Sequence, residues 1–163
     1  MILIGLGANL PGANQVSPRE TLAAALAALE AAGVAVTARS GWYASAPVPA
    51  SDQPDYVNAV AALSTDLAPG PLMALLHEIE TRLGRVRTVR DAARIIDIDL
   101  LDYNGLIDAG WPILPHPRLA QRAFVLRPLQ EIAPDWCDPV TGEGVATLLA
   151  RAADRADVRP LVP

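Results

Sequence analysis

Lysine is absent from this 163-residue chain, and all 13 basic side chains are arginine. That excludes Schiff-base chemistry on a lysine amine and the lysine of a phosphate-cradling P-loop, so any phosphate is held by arginine, backbone or metal. Cysteine is nearly absent too. Cys137 stands alone, which excludes an internal disulfide and a multi-cysteine zinc site; it reads as a small apolar residue near the C-terminal turn. Aromatic residues make up only 4%, and acids outnumber bases 18 to 13 for a net charge of −5. Sparse rings and an acidic balance argue against a nucleic-acid partner. No apolar run approaches the ~18 residues of a membrane span, because charge, glycine or proline breaks every stretch. The first residues, Met1-Ile2-Leu3-Ile4-Gly5, lack the basic flank and cleavage site of a secretory signal, which predicts a cytoplasmic protein.

What is present is enough apolar sequence, 52% of residues, to bury one core, and residues 1–163 are expected to form a single domain. Met1–Leu6 reads as a buried strand. Ser17-Pro18-Arg19-Glu20 is a capping box that opens a helix carrying Leu22, Ala25, Leu26 and Leu29 and stopping at Gly33. Val34–Tyr43 alternates like a strand; Ala44–Asp55, with Pro47, Pro49 and Pro54, is irregular; Tyr56–Thr65 resumes strand character. A second helix is predicted from Pro69 to Leu83, ending at Gly84, and a strand from Arg94 to Tyr103. The order β-α-β-β-α-β is the split βαβ pattern: an α+β, ferredoxin-like fold with helices on one face of an antiparallel sheet. A C-terminal helical extension follows, with a helix around Pro117–Glu131 that Pro128 must interrupt or delimit, and a last helix near Gly144–Arg155. The tail from Asp138 to Pro163 reads as a packing helix and a frayed end.

Asp97 and Asp99 lie two apart in Ile95-Ile96-Asp97-Ile98-Asp99-Leu100-Leu101. In a strand they share one face while Ile96, Ile98 and Leu100 share the other. Two ionised carboxylates so placed suit a divalent cation such as Mg²⁺, which takes a few carboxylates together with substrate phosphates. The alternative is the solvent face of an ordinary amphipathic strand. Just before it, Arg82, Arg85, Arg87, Arg90 and Arg94 face only Asp91 as a counter-charge. Guanidinium forks beside a metal site suit a polyphosphate substrate, though a solvated arginine loop has the same composition. His116 is presented between Pro115 and Pro117, and His77 lies mid-helix; either could be merely structural. In Tyr56-Val57-Asn58, period two aims a ring and a carboxamide the same way, which suits a flat heteroaromatic ligand or a satisfied core pair.

Gly5-Leu6-Gly7-Ala8-Asn9-Leu10, Gln53-Pro54-Asp55-Tyr56-Val57-Asn58-Ala59-Val60, Ile79-Glu80-Thr81-Arg82-Leu83-Gly84-Arg85, Arg94-Ile95-Ile96-Asp97-Ile98-Asp99-Leu100, and Pro115-His116-Pro117 with Arg122-Ala123-Phe124-Val125-Leu126 together resemble the 6-hydroxymethyl-7,8-dihydropterin pyrophosphokinase family of folate biosynthesis. The resemblance covers nearly the whole chain. It implies transfer of pyrophosphate from ATP to the pterin hydroxymethyl group with release of AMP, by a monomer whose partners are these small molecules. It further implies two Mg²⁺ ions on Asp97 and Asp99, and a pterin held between Tyr56 and Phe124, read by Asn58, and enclosed by backbone around Ser45, Ala46 and Val48. Arg85, Arg94, His116 and Arg122 would contact the triphosphate, with Arg85 and Arg94 in the catalytic role; Arg87 and His77 are further nucleotide-side candidates. Main chain near Ile98 and Ile113 would hold adenine. Where the family has a tryptophan after the loop arginine this chain has Asp91, in a shorter loop, and Ala8, Ala46 and Pro49 also depart from the pattern. An alternative is therefore a non-catalytic ferredoxin-like module that binds pterin or nucleotide with an impaired lid.

Overall fold

The structure is a computed structural model that describes residues 1–86 and 95–163. The expectations for Arg87, Arg90, Asp91 and Arg94, including the lid and the start of the last core strand, lie outside the described residues.

Strand β1 (Ile2–Ala8) pairs antiparallel with β4 (Tyr56–Ser64) on one side and with β5 (Asp97–Tyr103) on the other. Two short strands, β2 (Ala35–Arg39) and β3 (Tyr43–Ser45), share the far edge of β4, and β6 (Arg159–Pro160) pairs with β3. With helix α1 (Pro18–Ala31) between β1 and β2, and α2 (Pro69–Arg82) between β4 and β5, this is the split βαβ arrangement. The single strand expected over Val34–Tyr43 is broken in two. Ser40 is the reason: its N–H donates to Val60 O at 2.9 Å, but Val60 N–H donates to Ser40 Oγ at 3.0 Å. A side chain thus replaces a backbone rung, and the chain bends before β3 resumes the ladder.

The two helices of the split βαβ core share one face of the sheet, as expected, and the C-terminal helical extension covers the other. Ile4 and Leu6 of β1, Ala61 and Leu63 of β4, and Ile98 and Leu100 of β5 pack against Leu22 and Leu29 of α1 and Leu72, Leu76 and Ile79 of α2. Leu3, Val60, Ala62 and Leu101 project from the opposite face onto α3 (Ala123–Ile132) and α4 (Val145–Arg151). A sheet apolar on both sides must be covered on both. Among the described residues no helix is long and apolar enough to cross a membrane.

Local chemistry explains the helix ends. Ser17 Oγ accepts Glu20 N–H at 3.2 Å, while Glu20 reaches back to Val16 N–H at 2.9 Å, one residue upstream of a standard capping box. At the end of α2, Gly84 adopts φ 100°, a left-handed conformation that suits glycine and turns Arg85 back toward the sheet. Pro128 neither interrupts nor delimits α3, contrary to the sequence expectation; the helix runs through it. The missing N–H is tolerated because the segment's apolar face, with Leu126 and Leu129 fully buried, is fixed by packing. Cys137 is free but exposed rather than packed. The final segment holds the expected packing helix, α4, but its end is paired rather than frayed. After α4 it makes a 3-10 turn (Arg155–Asp157) and β6, Leu161 N–H donates to Trp42 O at 2.8 Å, and Arg159 pairs with Asp55 at 2.8 Å.

One side-chain network ties α3 to the sheet edge. The Glu131 carboxylate accepts Gly41 N–H at 2.9 and 3.1 Å and the Tyr43 hydroxyl at 2.8 Å. Burial, and then the neighbouring Glu131, push Tyr43 up from 10.0 to about 12. An unfolded chain releases this phenolic proton near pH 10 while the folded chain keeps it, so stability is present below about pH 10 and falls as pH rises toward about 12. Urea denaturation at several alkaline pH values is expected to show that fall in the wild type and a shallower one in Tyr43→Phe.

Candidate functional site

Where α3 and α4 leave their face of the sheet uncovered, a cleft of about 800 Å³ opens over the ends of β1, β4 and β5. The register places its floor in rows. Asn58, Gly7 and Asp97 lie across three adjacent strands, and Val60, Gly5 and Asp99 form the next row. Asp97 and Asp99 are both half-buried and both line the cleft, while Ile98 between them is buried in the opposite core. The alternation read from the sequence therefore holds, and the carboxylates do not face open solvent. Gly7 keeps the floor low. A Cβ there would sit 3.2 Å from Asn58 Oδ1, tighter than most real contacts, so any other residue would require the amide to give by a few tenths of an ångström.

Asn58 is only 4% exposed, and its Nδ2 donates to Ser45 Oγ at 2.8 Å, which fixes the amide's orientation. Tyr56 and Phe124 line the same cleft, with Ser45 at the end of β3 and Ala46 and Val48 on the loop that follows it. Arg122 lies 5.4 Å over the Phe124 ring, so the guanidinium and the ring share one wall. Asn9 Nδ2 donates to Gln53 Oε1 at 3.0 Å and Pro54 O at 3.2 Å, tying the end of β1 to the loop that leads into Tyr56.

The charged end is built around Arg85. Its Nη1 donates to Asp97 Oδ1 at 2.8 Å and also contacts the Glu80 carboxylate. Glu80 is 1% exposed, a buried acid facing a largely buried guanidinium. His116 follows the cis Leu114–Pro115 bond, and its N–H donates to Leu101 O at 2.8 Å, which anchors the loop on β5. Its Nδ1 accepts Arg118 N–H at 3.2 Å, so a neutral ring carries its proton on Nε2, 3.8 Å from Asp99 Oδ2. Burial, and then the Arg122 charge, hold His116 below its ordinary value, against the pull of Asp97, so the ring is neutral at pH 7.

His77 also lines the cleft, with its ring centroid 6.2 Å from that of Trp111. Ile113 does not line it. This half-exposed residue borders an adjoining cavity of about 430 Å³ that shares His116, Pro117 and Gln121 with the cleft. Arg82, exposed and paired with Glu78 at 3.4 Å, likewise stands outside. Among the charged lining residues, Glu80, Arg118 and Asp154 are not singled out by the sequence as site residues. Glu80 did leave a signal: it falls on the apolar stripe four residues after Leu76, and a carboxylate on a buried stripe requires a cation partner. Asp154 left none, since nothing in its local sequence indicates that it reaches the cleft.

Solved structures share this architecture. The Plasmodium falciparum HPPK-DHPS chain superimposes with a TM-score of 0.69 over 98% of this chain and 46% of that one, at 12% identity, which speaks to the fold alone. Sequence relatives are closer. The 2-amino-4-hydroxy-6-hydroxymethyldihydropteridine pyrophosphokinase of Pseudomonas aeruginosa is 44% identical over 85% of this chain and 86% of its own length. The Synechocystis protein of the same name is 36% identical over 99% of this chain and 80% of its own. The folic acid synthesis protein fol1 of Pneumocystis carinii is also 36% identical over 99% of this chain, which spans only 21% of that longer protein. Residues 3–134, from β1 through α3 and including every described strand of the floor, match the family described as 7,8-dihydro-6-hydroxymethylpterin-pyrophosphokinase (HPPK), and the chain belongs to that family.

Proposed function

We propose that this chain transfers pyrophosphate from ATP to the hydroxymethyl oxygen of 6-hydroxymethyl-7,8-dihydropterin and releases AMP. The observation that supports it most is that one cleft gathers two carboxylates from one strand face, Arg85, Arg122 and His116, and the Tyr56, Asn58 and Phe124 set. Each half suits one substrate. Tyr56 and Phe124 offer flat apolar faces to a bicyclic ring, and the amide of Asn58, braced by Ser45, reads its polar edge. Ala46 and Val48 would close that side.

Asp97 and Asp99 fit Mg²⁺ by donor chemistry, being hard oxygen ligands projecting side by side from a rigid strand. Among the described residues no group of three or more His, Cys, Asp or Glu side chains gathers into a cage, and an ion that completes its shell with phosphate oxygens and water needs none. Bound there, two Mg²⁺ ions would draw charge from the phosphate oxygens as the bond to the leaving AMP breaks. The protein's own part is positioning and charge. Arg85, Arg122 and the Nε2–H of His116 donate to the triphosphate, and Arg94 and Arg87 are proposed to add to them. His77 and main chain near Ile98 serve the nucleotide side; main chain near Ile113 would reach adenine only from the adjoining cavity. The pterin hydroxyl attacks the β-phosphorus in line, and no side chain forms a covalent bond. The absence of lysine and of a reactive cysteine in the cleft is consistent with that route. The proposed enzyme works on small molecules as a cytoplasmic monomer.

Incubation with ATP, the hydroxymethyl dihydropterin and Mg²⁺ is expected to yield AMP and pyrophosphorylated pterin in equal amounts. Omitting either substrate, or chelating the metal, is expected to abolish AMP formation. Pterin binding without AMP under complete conditions would point instead to a non-catalytic module.

A further inference from the structure

We infer that Asp154, in the segment after α4, is a positioning residue that sets Phe124 in the cleft. Both Asp154 carboxylate oxygens accept the N–H of Ala123, at 3.0 and 3.2 Å. Ala123 is the first residue of α3; the residue before it is Arg122 and the residue after it is Phe124. The helix has no side-chain cap of its own, because Arg122 stands at the N-cap position and offers no acceptor. The carboxylate that satisfies this first N–H comes instead from 31 residues further along the chain. A helix start held by two hydrogen bonds fixes the direction in which its first side chains leave, and here one of them is a wall of the cleft.

The same segment also reaches the start of β4, which carries Tyr56. Arg159 pairs with Asp55 at 2.8 Å, and Asp55 immediately precedes Tyr56. The tail therefore touches the residue next to each of the two rings. The exposed Arg159 pair is weakly coupled to the fold, which leaves Asp154 as the stronger of the two holds. Asp154 is not in the catalytic set; it acts through the backbone of α3.

That Phe124 faces pterin rests on the proposed function; that Asp154 places Phe124 does not, and the test separates the two. Phe124 is the sole phenylalanine in the chain, so fluorophenylalanine incorporation yields a single ¹⁹F resonance from this ring. Asp154→Ala is expected to shift and broaden that resonance in the ligand-free protein. It is also expected to raise KM for the pterin by about tenfold, with KM for ATP and kcat within about twofold, since a displaced ring weakens one substrate's contacts only. Asp154→Asn, whose amide oxygen still accepts the Ala123 N–H, is expected to restore the resonance and the pterin KM. If Asp154→Ala does not fold, Asp154→Ser, with one shorter acceptor, takes its place and is expected to show the same selective change. An unshifted resonance with wild-type pterin KM overturns the inference, as does a variant that merely lowers Tm or affects both substrates equally. So does an asparagine variant as impaired as the alanine one, which would mean that the charge itself meets the ligand. A wild type that fails to bind pterin overturns the proposed function, while the ¹⁹F comparison still decides the role of Asp154.

Discussion

Asp97→Asn is expected to lower kcat/KM by about a thousandfold or more while leaving the protein folded. Charge stabilisation by a bound divalent ion supplies several kcal/mol to a phosphoryl-type transition state, and each ~1.4 kcal/mol is about a factor of ten in rate. The asparagine keeps an oxygen that can accept from Arg85 and keeps the side chain's volume, so the floor stays in place. What it removes is one negative charge from the pair on which Mg²⁺ would sit. Asp99→Asn is the matched case on the next row. AMP formation at saturating ATP, followed across a Mg²⁺ titration, checks this: activity within about tenfold of the wild type at ordinary Mg²⁺ would exclude the carboxylate pair as the metal site. Asp102, on the same strand, shows why the type of residue alone does not identify the role. It is buried, with its carboxylate accepting Trp136 Nε1–H at 2.8 Å and Gly105 N–H at 2.9 Å, and it braces the sheet rather than the cleft.

Arg85→Met is expected to be the most destabilising single change in the cleft, by about 3–5 kcal/mol, the usual consequence of removing one partner from a buried ion pair. The guanidinium faces both Glu80, which is 1% exposed, and Asp97, so its loss removes a cation that a buried carboxylate meets in the fold. For a protein of this size about 3 kcal/mol corresponds to a fall in Tm of roughly 6–12 °C. The companion variant makes the test specific. Glu80→Leu combined with Arg85→Met places two apolar side chains where the pair stood, and its Tm is expected to recover part of the loss, because such a replacement removes the desolvation penalty along with the attraction. Thermal unfolding of the two single variants and the double variant gives the coupling; simple additivity would show that Arg85 acts on stability through other contacts. Activity is expected to remain low in all three, since the donor proposed for the triphosphate is missing in two of them and has lost its buried anchor in the third.

Much of this was legible in one dimension because its physics is local. The Ser17 cap depends on residues three apart, the facing of Asp97 and Asp99 on the two-residue period of a strand, and the apolar stripes of α1 and α2 on the helical period. The break at Ser40 was not legible, because it depends on a hydroxyl finding Val60 across the sheet. Nor was the second helical layer, which follows only once β1 is seen to be apolar on both faces and flanked by strands that expose the same need.

Local periodicity and motif order thus determined the βαββαβ core, the shared face of the two aspartates and the pairing of a ring with a carboxamide at Tyr56 and Asn58. Tertiary structure alone decided that Glu80 meets Arg85, that Ile113 borders the adjoining cavity, and that Asp154 caps α3. Those are contacts between residues brought together by chain crossings rather than by spacing. A sequence period specifies which face a side chain occupies, whereas the partner on that face is chosen by packing across elements.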